Sequence, residues 1–368
     1  MPYRTEKDSI PRFIQIANDL ENQIIDGLLE LGDSLPKFKE LAKKFDVSLV
    51  TINHSIKELY ARGRVVRKRG KGVFVGSREH HKQNSYLVGL VVPDIANPYF
   101  SLLAKMVQKH LIELGYALII QSTDGDIIHM IHSLRQLLNR KVDGILIVPL
   151  EINFPEHEEI LWKLKLQRIP FVYVNDHISR VPSDYIEIDL AQGVNLIADH
   201  LIKLGHRKIG CVSAEPYINI TTTKVRNLVA RLKESGLDLN SENVFISDKQ
   251  HEEGGYEAAL QMLKGNDPPT AIVATSDIIA AGVIQAVKSL NLNVPRDVSV
   301  VGIDDIDIAH VMEPQLTTVK QPVEKMAEKA VEILIKRIEG KISSDYQYYV
   351  FSPELVVRDS TKAINNST

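Results

Sequence analysis

Cysteine is almost missing from this 368-residue chain: Cys211 stands alone, so no intrachain disulfide can form. A single thiol fits a reducing compartment. Long apolar runs are missing too, and nothing comes near the roughly 18 apolar residues that a membrane span requires. The opening stretch MPYRTEKDSIPRF has no apolar core of the kind that marks a secretion signal. A cytoplasmic protein is expected. Low-complexity tracts and short-period repeats are absent, which excludes a solenoid. What remains is ordinary for a globular chain, with 44% apolar and 25% charged residues, and the length suggests two or three compact units.

A net charge of −3 hides an asymmetry, because residues 1–82 carry 16 Lys and Arg against 11 Asp and Glu while the rest carry 28 against 36. A basic small head on an acidic body places affinity for a polyanion at one end of the chain.

Apolar residues within the head recur at helical spacing. Phe13, Ile16, Ala17, Leu20 and Ile24 share one face behind Pro11, with Gly27 as the stop. A second short helix follows Pro36, with Phe38, Leu41, Ala42 and Phe45 inward. The turn FDVS leads to a third, in which Ser48 caps the helix and Val47 staples to Ile52. Ile52, Ile56 and Leu59 face inward, while Leu49, Asn53 and Lys57 point out beside Val50 and His54. Two short helices joined by a tight turn form a helix-turn-helix pattern. RVVRKRGKGVFV then reads as a cationic β-hairpin, with Gly70 and Gly72 allowing a close approach to phosphates. A nucleotide-binding loop is the weaker reading of GKG, because the full G-x-x-x-x-G-K-[ST] pattern is missing.

The run from FIQIANDLENQ to GKGVFV resembles the GntR-type winged helix-turn-helix. The resemblance rests on the LP before helix two, VS-x-x-T at the start of helix three and the closing G-x-G-V-F-V. It implies DNA contacts from Lys37, Ser48, Thr51, Asn53, His54 and Lys57, and from Arg64, Arg67, Lys68, Arg69 and Lys71 of the wing. Leu49 and Asn53 stand where that family commonly has Arg, so the operator sequence does not carry over.

SREHHKQNS, residues 77–85, reads as a linker between a head at 1–76 and a larger unit at 86–368. His80 with His81, and His129 with His132, lack further ligands at a metal spacing. Beyond the linker, YLVGLVV, YALIIQ, DGILIV and PFVYVN read as strands buried on both faces. Helices near 99–114, 127–140, 156–167 and 190–204 separate them, and the pattern restarts with RKIGCVS, AIVAT and DVSVVGI. An α/β architecture of two lobes with parallel sheets follows, with a ligand crevice at the carboxyl ends of the strands.

VGLVVPDIANPYF, KVDGILIVP, DHLIKLGHRKIG, PTAIVATSDIIAAG and VPRDVSVVGIDD together resemble the LacI/GalR-type effector domain, which shares its fold with periplasmic sugar-binding proteins. The combination with a GntR-type head resembles the arabinose-repressor branch of the GntR family. That resemblance implies a homodimeric repressor that binds operator DNA under control of a small ligand, a sugar above all, with no cofactor and no catalytic residue. Its implied effector contacts are Tyr99, Phe100, Asp124, Gln192, Thr222, Arg226, Gln250, Ser276 and Asp304. Asp124 has a second reading as a helix cap, Asp277 is read as the cap of helix 277–290, and Asp305 as structural. Val229, Gln250 and Ser276 depart from the family's usual Gly, aromatic and Asn, so no relative's ligand carries over. A sugar receptor without a regulatory role is the competing class; it would need a secretion signal and no basic head.

Overall fold

The computed structural model describes residues 11–25, 28–30, 32–68, 72–76, 84–150, 155–213, 219–237, 239, 243–247, 251–342 and 345–364. The head comprises α1 (Arg12–Ile25), α2 (Phe38–Phe45), α3 (Leu49–Ala61) and an antiparallel hairpin of β1 (Val65–Lys68) and β2 (Gly72–Val75). Ile16, Ala17 and Leu20 of α1 meet Leu41 of α2 and Ile52, Ile56 and Leu59 of α3, with Val65, Val73 and Val75 closing the core from the hairpin. Ser48 caps α3 by accepting from Thr51 N at 3.2 Å, as the FDVS turn foretells. Gly27, the expected stop of α1, lies outside the described residues.

Two six-stranded sheets form the body. The first half of lobe 1 is β3 (Leu87–Val92), α4 (Pro98–Glu113), β4 (Ala117–Ser122), α5 (Ile127–Asn139) and β5 (Gly144–Ile147). It continues through α6 (Pro155–Leu166), β6 (Phe171–Asn175) and β7 (Asp184–Ile188). Lobe 2 begins with α7 (Leu190–Lys203), β8 (Ile209–Ser213), α8 (Asn219–Glu234), β9 (Val244–Ile246) and α9 (His251–Leu263). It continues with β10 (Ala271–Ala274), α10 (Asp277–Ser289), β11 (Ser299–Asp304), α11 (Ile308–Val311) and β12 (Thr317–Lys320). The chain then returns to lobe 1 with α12 (Val323–Ile338) and β13 (Tyr348–Phe351), and ends in lobe 2 with β14 (Glu354–Val356).

Strand order is β13-β7-β6-β5-β3-β4 in lobe 1 and β14-β12-β11-β10-β8-β9 in lobe 2, parallel throughout except for β14 against β12. The chain therefore crosses between lobes three times, at 188–190, 320–323 and 351–354. Leu103, Val107 and Leu111 repeat every four residues on α4 and meet Met326, Ala330 and Leu334 of α12. Each large side chain so buried contributes about 1.5 to 3 kcal/mol.

Two expectations need correction. YALIIQ is not buried on both faces: β4 is the edge strand, and Ile120 is 40% exposed. At the sheet edge α4 and α5 cover this strand only in part, so its apolar run is left half-buried along its length. The cap of α10 is Ser276, which accepts from Ile279 N at 3.3 Å. Asp277 is instead fully buried, accepting from Thr318 Oγ1 at 2.5 Å and Ile306 N at 3.0 Å, and burial pushes its carboxyl up to about 6.

Candidate functional sites: an exposed helix face and an interlobe cleft

In the head, Asn53, His54 and Lys57 all lie exposed on α3, and Leu49 and Val50 beside them are 44% and 64% exposed. Asn53 donates its amide to Leu49 O at 3.0 Å, and Phe13 packs edge-on against His54 with centroids 5.8 Å apart. Ser48 and Thr51 share a hydroxyl hydrogen bond of 2.9 Å at the start of this helix. Lys37 is exposed at the start of α2, where its backbone N–H donates to Glu40 Oε2. Arg67 is exposed on β1, whereas the Lys68 side chain, Arg69 and Lys71 lie outside the described residues.

Arg64, expected to contact DNA, is paired within the head. Its Nε donates to Glu21 Oε1 at 2.7 Å, and Arg62 bridges Glu21 and Glu58, so these two guanidiniums brace α1 against α3. Burial alone would push the Glu21 carboxyl up, but hydrogen bonds and charge from Arg64 and Arg62 outweigh it and hold it below its usual range.

Between the lobes lies a cavity lined by Asn97, Tyr99, Phe100, Asn175, Ile188, Leu190, Lys224, Ser276, Asp304 and Gln321. Lobe 1 supplies the start of α4 and the end of β6; lobe 2 supplies the ends of β10 and β11; the crossovers supply Leu190 and Gln321. The strands' carboxyl ends thus face each other, the arrangement in which open α/β sheets bind ligands. Asn97 caps α4 by accepting from Tyr99 N at 3.0 Å, which aims the following two rings at the cavity. Tyr99 donates its hydroxyl to Asn175 Oδ1 at 2.9 Å and meets Phe100 edge-on at 5.2 Å. Burial, then the charge of Asp304, push the Tyr99 phenol well up, so it stays a neutral hydrogen-bonding group.

Asp304 ends β11 in an unusual backbone conformation, with φ at 126° for a non-glycine residue. It accepts from Gln321 Nε2 at 2.6 Å. Asp305 next to it is turned away and accepts from Arg358 Nη2 at 2.6 Å, the structural role read for it. Asp94 of lobe 1 lies 2.9 Å from His251 Nε2 of lobe 2, a contact between the lobes.

Of the nine expected effector contacts, Tyr99, Phe100, Ser276 and Asp304 converge on this cavity. Asp124 is exposed and accepts from Ser122 Oγ, and the cap of α5 is Asp126. Gln192 is exposed in the first turn of α7, its backbone N–H donating to Asp189. Thr222 and Arg226 are exposed on α8 and do not line the cavity. The cation that does is Lys224, two residues before Arg226, 7% exposed, with Nζ donating to Thr275 O at 2.7 Å. Gln250 lies outside the described residues. Asn97, Asn175 and Gln321 are lining residues that sequence reasoning missed. Asn97 and Asn175 sit inside the motif VGLVVPDIANPYF and the strand PFVYVN, so strand-end position was the available signal. Among the described residues one group can hold a cation, namely Asp176, His177 and Glu187, whose ligand atoms lie within 4.8 Å of one another. His177 and Glu187 already satisfy each other by a hydrogen bond, and the imidazole stacks on Tyr185 at 4.3 Å. No helix among the described residues is long and apolar enough to cross a membrane.

Comparison with known proteins agrees with both halves. The family described as bacterial regulatory proteins, gntR family, matches residues 14–75, and the periplasmic binding protein-like domain matches 198–361. The arabinose metabolism transcriptional repressor of Geobacillus stearothermophilus is 27% identical over 98% of this chain and 100% of its own length. The HTH-type transcriptional regulator MalR of Streptomyces coelicolor is 35% identical over 75% of this chain and 80% of its own length. Among solved structures, a LacI family regulator from Enterococcus faecium with bound ribose is 25% identical, with a TM-score of 0.67 over 76% of this chain and 100% of that one. The chain belongs to the LacI-type family of bacterial transcriptional regulators, and its DNA-binding head is of the GntR type.

Proposed function

We propose that the chain is a homodimeric repressor, acting in the cytoplasm and without catalysis, whose operator affinity is set by a sugar bound between its lobes. The observation that carries this reading is the cavity built jointly from both lobes and the crossovers, with a carboxylate at Asp304, an ammonium at Lys224, neutral amides and two aromatic rings. That set offers donors and acceptors for several hydroxyls and flat faces for C–H groups, which suits a neutral polyhydroxylated molecule better than a strong ion. Relatives crystallised with ribose and with D-xylulofuranose support the ligand class.

The division into a head at 1–76, a linker at 77–85 and an effector unit at 86–368 remains our reading of the chain. Lobe 1 offers a face for pairing: Ile112 and Leu114 at the end of α4, Ile120 on the edge strand and Ile128 of α5 are 64%, 49%, 40% and 53% exposed. Two copies joined there would present two heads to a palindromic operator. Ligand that closes the cleft would change the spacing of the heads. A receptor without a regulatory role is disfavoured by the winged helix-turn-helix head. The test is fluorescence anisotropy on DNA from upstream of the gene, titrated with a panel of pentoses and hexoses. Saturable binding shifted by one sugar supports the proposal; specific binding indifferent to all of them removes the sugar from it.

A further inference from the structure

A second hollow of about 280 Å³ lies beneath lobe 1, at the amino ends of β6 and β7, on the side of the body that meets the head. Lys165, Arg168, Ser183, Asp184, Arg337 and Tyr346 line it. Its one carboxylate is already taken, since Asp184 accepts from Arg337 Nε and Nη2 at 2.9 and 2.7 Å and from Gln347 N at 2.8 Å. Lys165 has only neutral acceptors among the described residues, the Tyr346 hydroxyl at 2.7 Å and the Pro182 carbonyl. Its ammonium also lies over the rings of Tyr346 at 4.6 Å and Trp162 at 5.3 Å. Burial pushes this amine down to about 8, and the charge of Asp184, itself opposed by Arg337, offsets that only in part. Arg168, 45% exposed, reaches out of the hollow to Glu21 Oε1 of α1 at 3.3 Å. Glu21 is held more closely by Arg62 at 2.5 Å and Arg64 at 2.7 Å, so this longer third contact is the one a stronger anion can displace.

We propose that this hollow is a second ligand site, for a phosphate group, free or as a small monoester, held by Lys165 and Arg168 in competition with Glu21 of the DNA-binding head. A phosphate carries close to two negative charges at neutral pH and several strong acceptor oxygens, which match an ammonium and a guanidinium fork left without a firm carboxylate. Occupation removes the contact that ties the head to lobe 1, so the site adds a second input to the head, separate from the interlobe cleft.

Trp162, the only tryptophan in the chain, stands beside Lys165 and reports on the hollow directly. The experiment is a titration of the full chain with inorganic phosphate and with glycerol 3-phosphate at constant ionic strength in chloride, following Trp162 emission. We expect a saturable change, weakened at least tenfold by Lys165→Met and by Arg168→Ala, and tightened severalfold by Glu21→Gln. The tighter of the two probes identifies the source of the phosphate group. A response no different from added chloride, or variants at Lys165 and Arg168 that titrate as wild type, overturns the site. Unchanged affinity in Glu21→Gln overturns the competition with the head. Arg168 is exposed, so its variant carries the test even where Lys165→Met fails to fold.

Discussion

Gln321 donates its amide to Asp304 at 2.6 Å, yet its own Oε1, buried against the cleft, accepts no hydrogen bond. Asp304 ends β11 and Gln321 follows the neighbouring strand β12, where the chain leaves lobe 2 for lobe 1. An unmet buried amide oxygen costs about 1 to 3 kcal/mol, and a ligand hydroxyl donated to it recovers that cost. The cleft thus has its polar requirement at the crossover itself, where binding bears on the angle between lobes.

Asp304→Ala removes the carboxylate and leaves Gln321 without its acceptor as well. Ligand affinity should fall at least tenfold, consistent with about 1.5 to 3 kcal/mol for a hydrogen bond to a charged group, while operator binding stays intact. Calorimetry for the ligand and anisotropy for DNA check the two halves. A variant with unaltered ligand affinity takes Asp304 out of the site.

Lys224 and Arg226 separate two readings of the same helix. The family resemblance points to Arg226, but the structure buries Lys224 in the cavity and leaves Arg226 exposed. Lys224→Met should weaken ligand binding at least tenfold, and Arg226→Ala by less than threefold. The reverse ranking would mean that α8 turns on ligand binding to exchange one cation for the other.

Much of the fold was legible because burial on both sides leaves unbroken apolar runs, as in DGILIV and DVSVVGI, which became β5 and β11. The strands that escaped notice lie at or near the edges and crossovers: β7, β9, β12, β13 and β14. In β7, DYIEI alternates buried and half-buried positions, and in β13 Tyr348 and Val350 are 55% and 60% exposed, so neither reads as a core strand. Site residues followed the same logic. Tyr99 and Phe100 at the start of α4 and Asp304 at the end of β11 lie within recognisable motifs, whereas Lys224 and Gln321 depend on helix rotation and on a crossover, which spacing along the chain does not encode.

Phosphate contacts in the head should rest on the hairpin and α3 without Arg64. Replacing Arg67, Lys68 and Arg69 with Ala should flatten the plot of log affinity against log salt by up to about 3, at roughly 0.9 for each phosphate no longer neutralised. Arg64→Ala, by contrast, should lower head stability through Glu21 with a slope change below about 1. Measurements on operator and on random DNA over a range of KCl distinguish the two, and an unchanged slope in the triple variant removes the hairpin from the interface.

His157 supplies a pH dependence. It is 1% exposed, its Nε2 has no partner, and burial pushes its imidazole down to about 4. The folded state therefore disfavours the proton that the unfolded chain takes up below its usual pKa near 6.5. Stability is full above pH 6.5 and falls as the pH drops toward 4, by about 2 to 3 kcal/mol from this group. Urea unfolding at pH 7 and pH 4.5 should show that loss in the wild type and a smaller one in His157→Leu; equal losses would assign the acid sensitivity elsewhere.

The central claim is that the cleft and the head are coupled, and linkage makes it measurable from the ligand side. Titrate the full chain with the sugar that the anisotropy panel selects, by calorimetry, once alone and once saturated with operator DNA. The account predicts that operator changes the sugar's Kd by the same factor by which the sugar changes the operator's Kd. Identical sugar affinity with and without operator would contradict it.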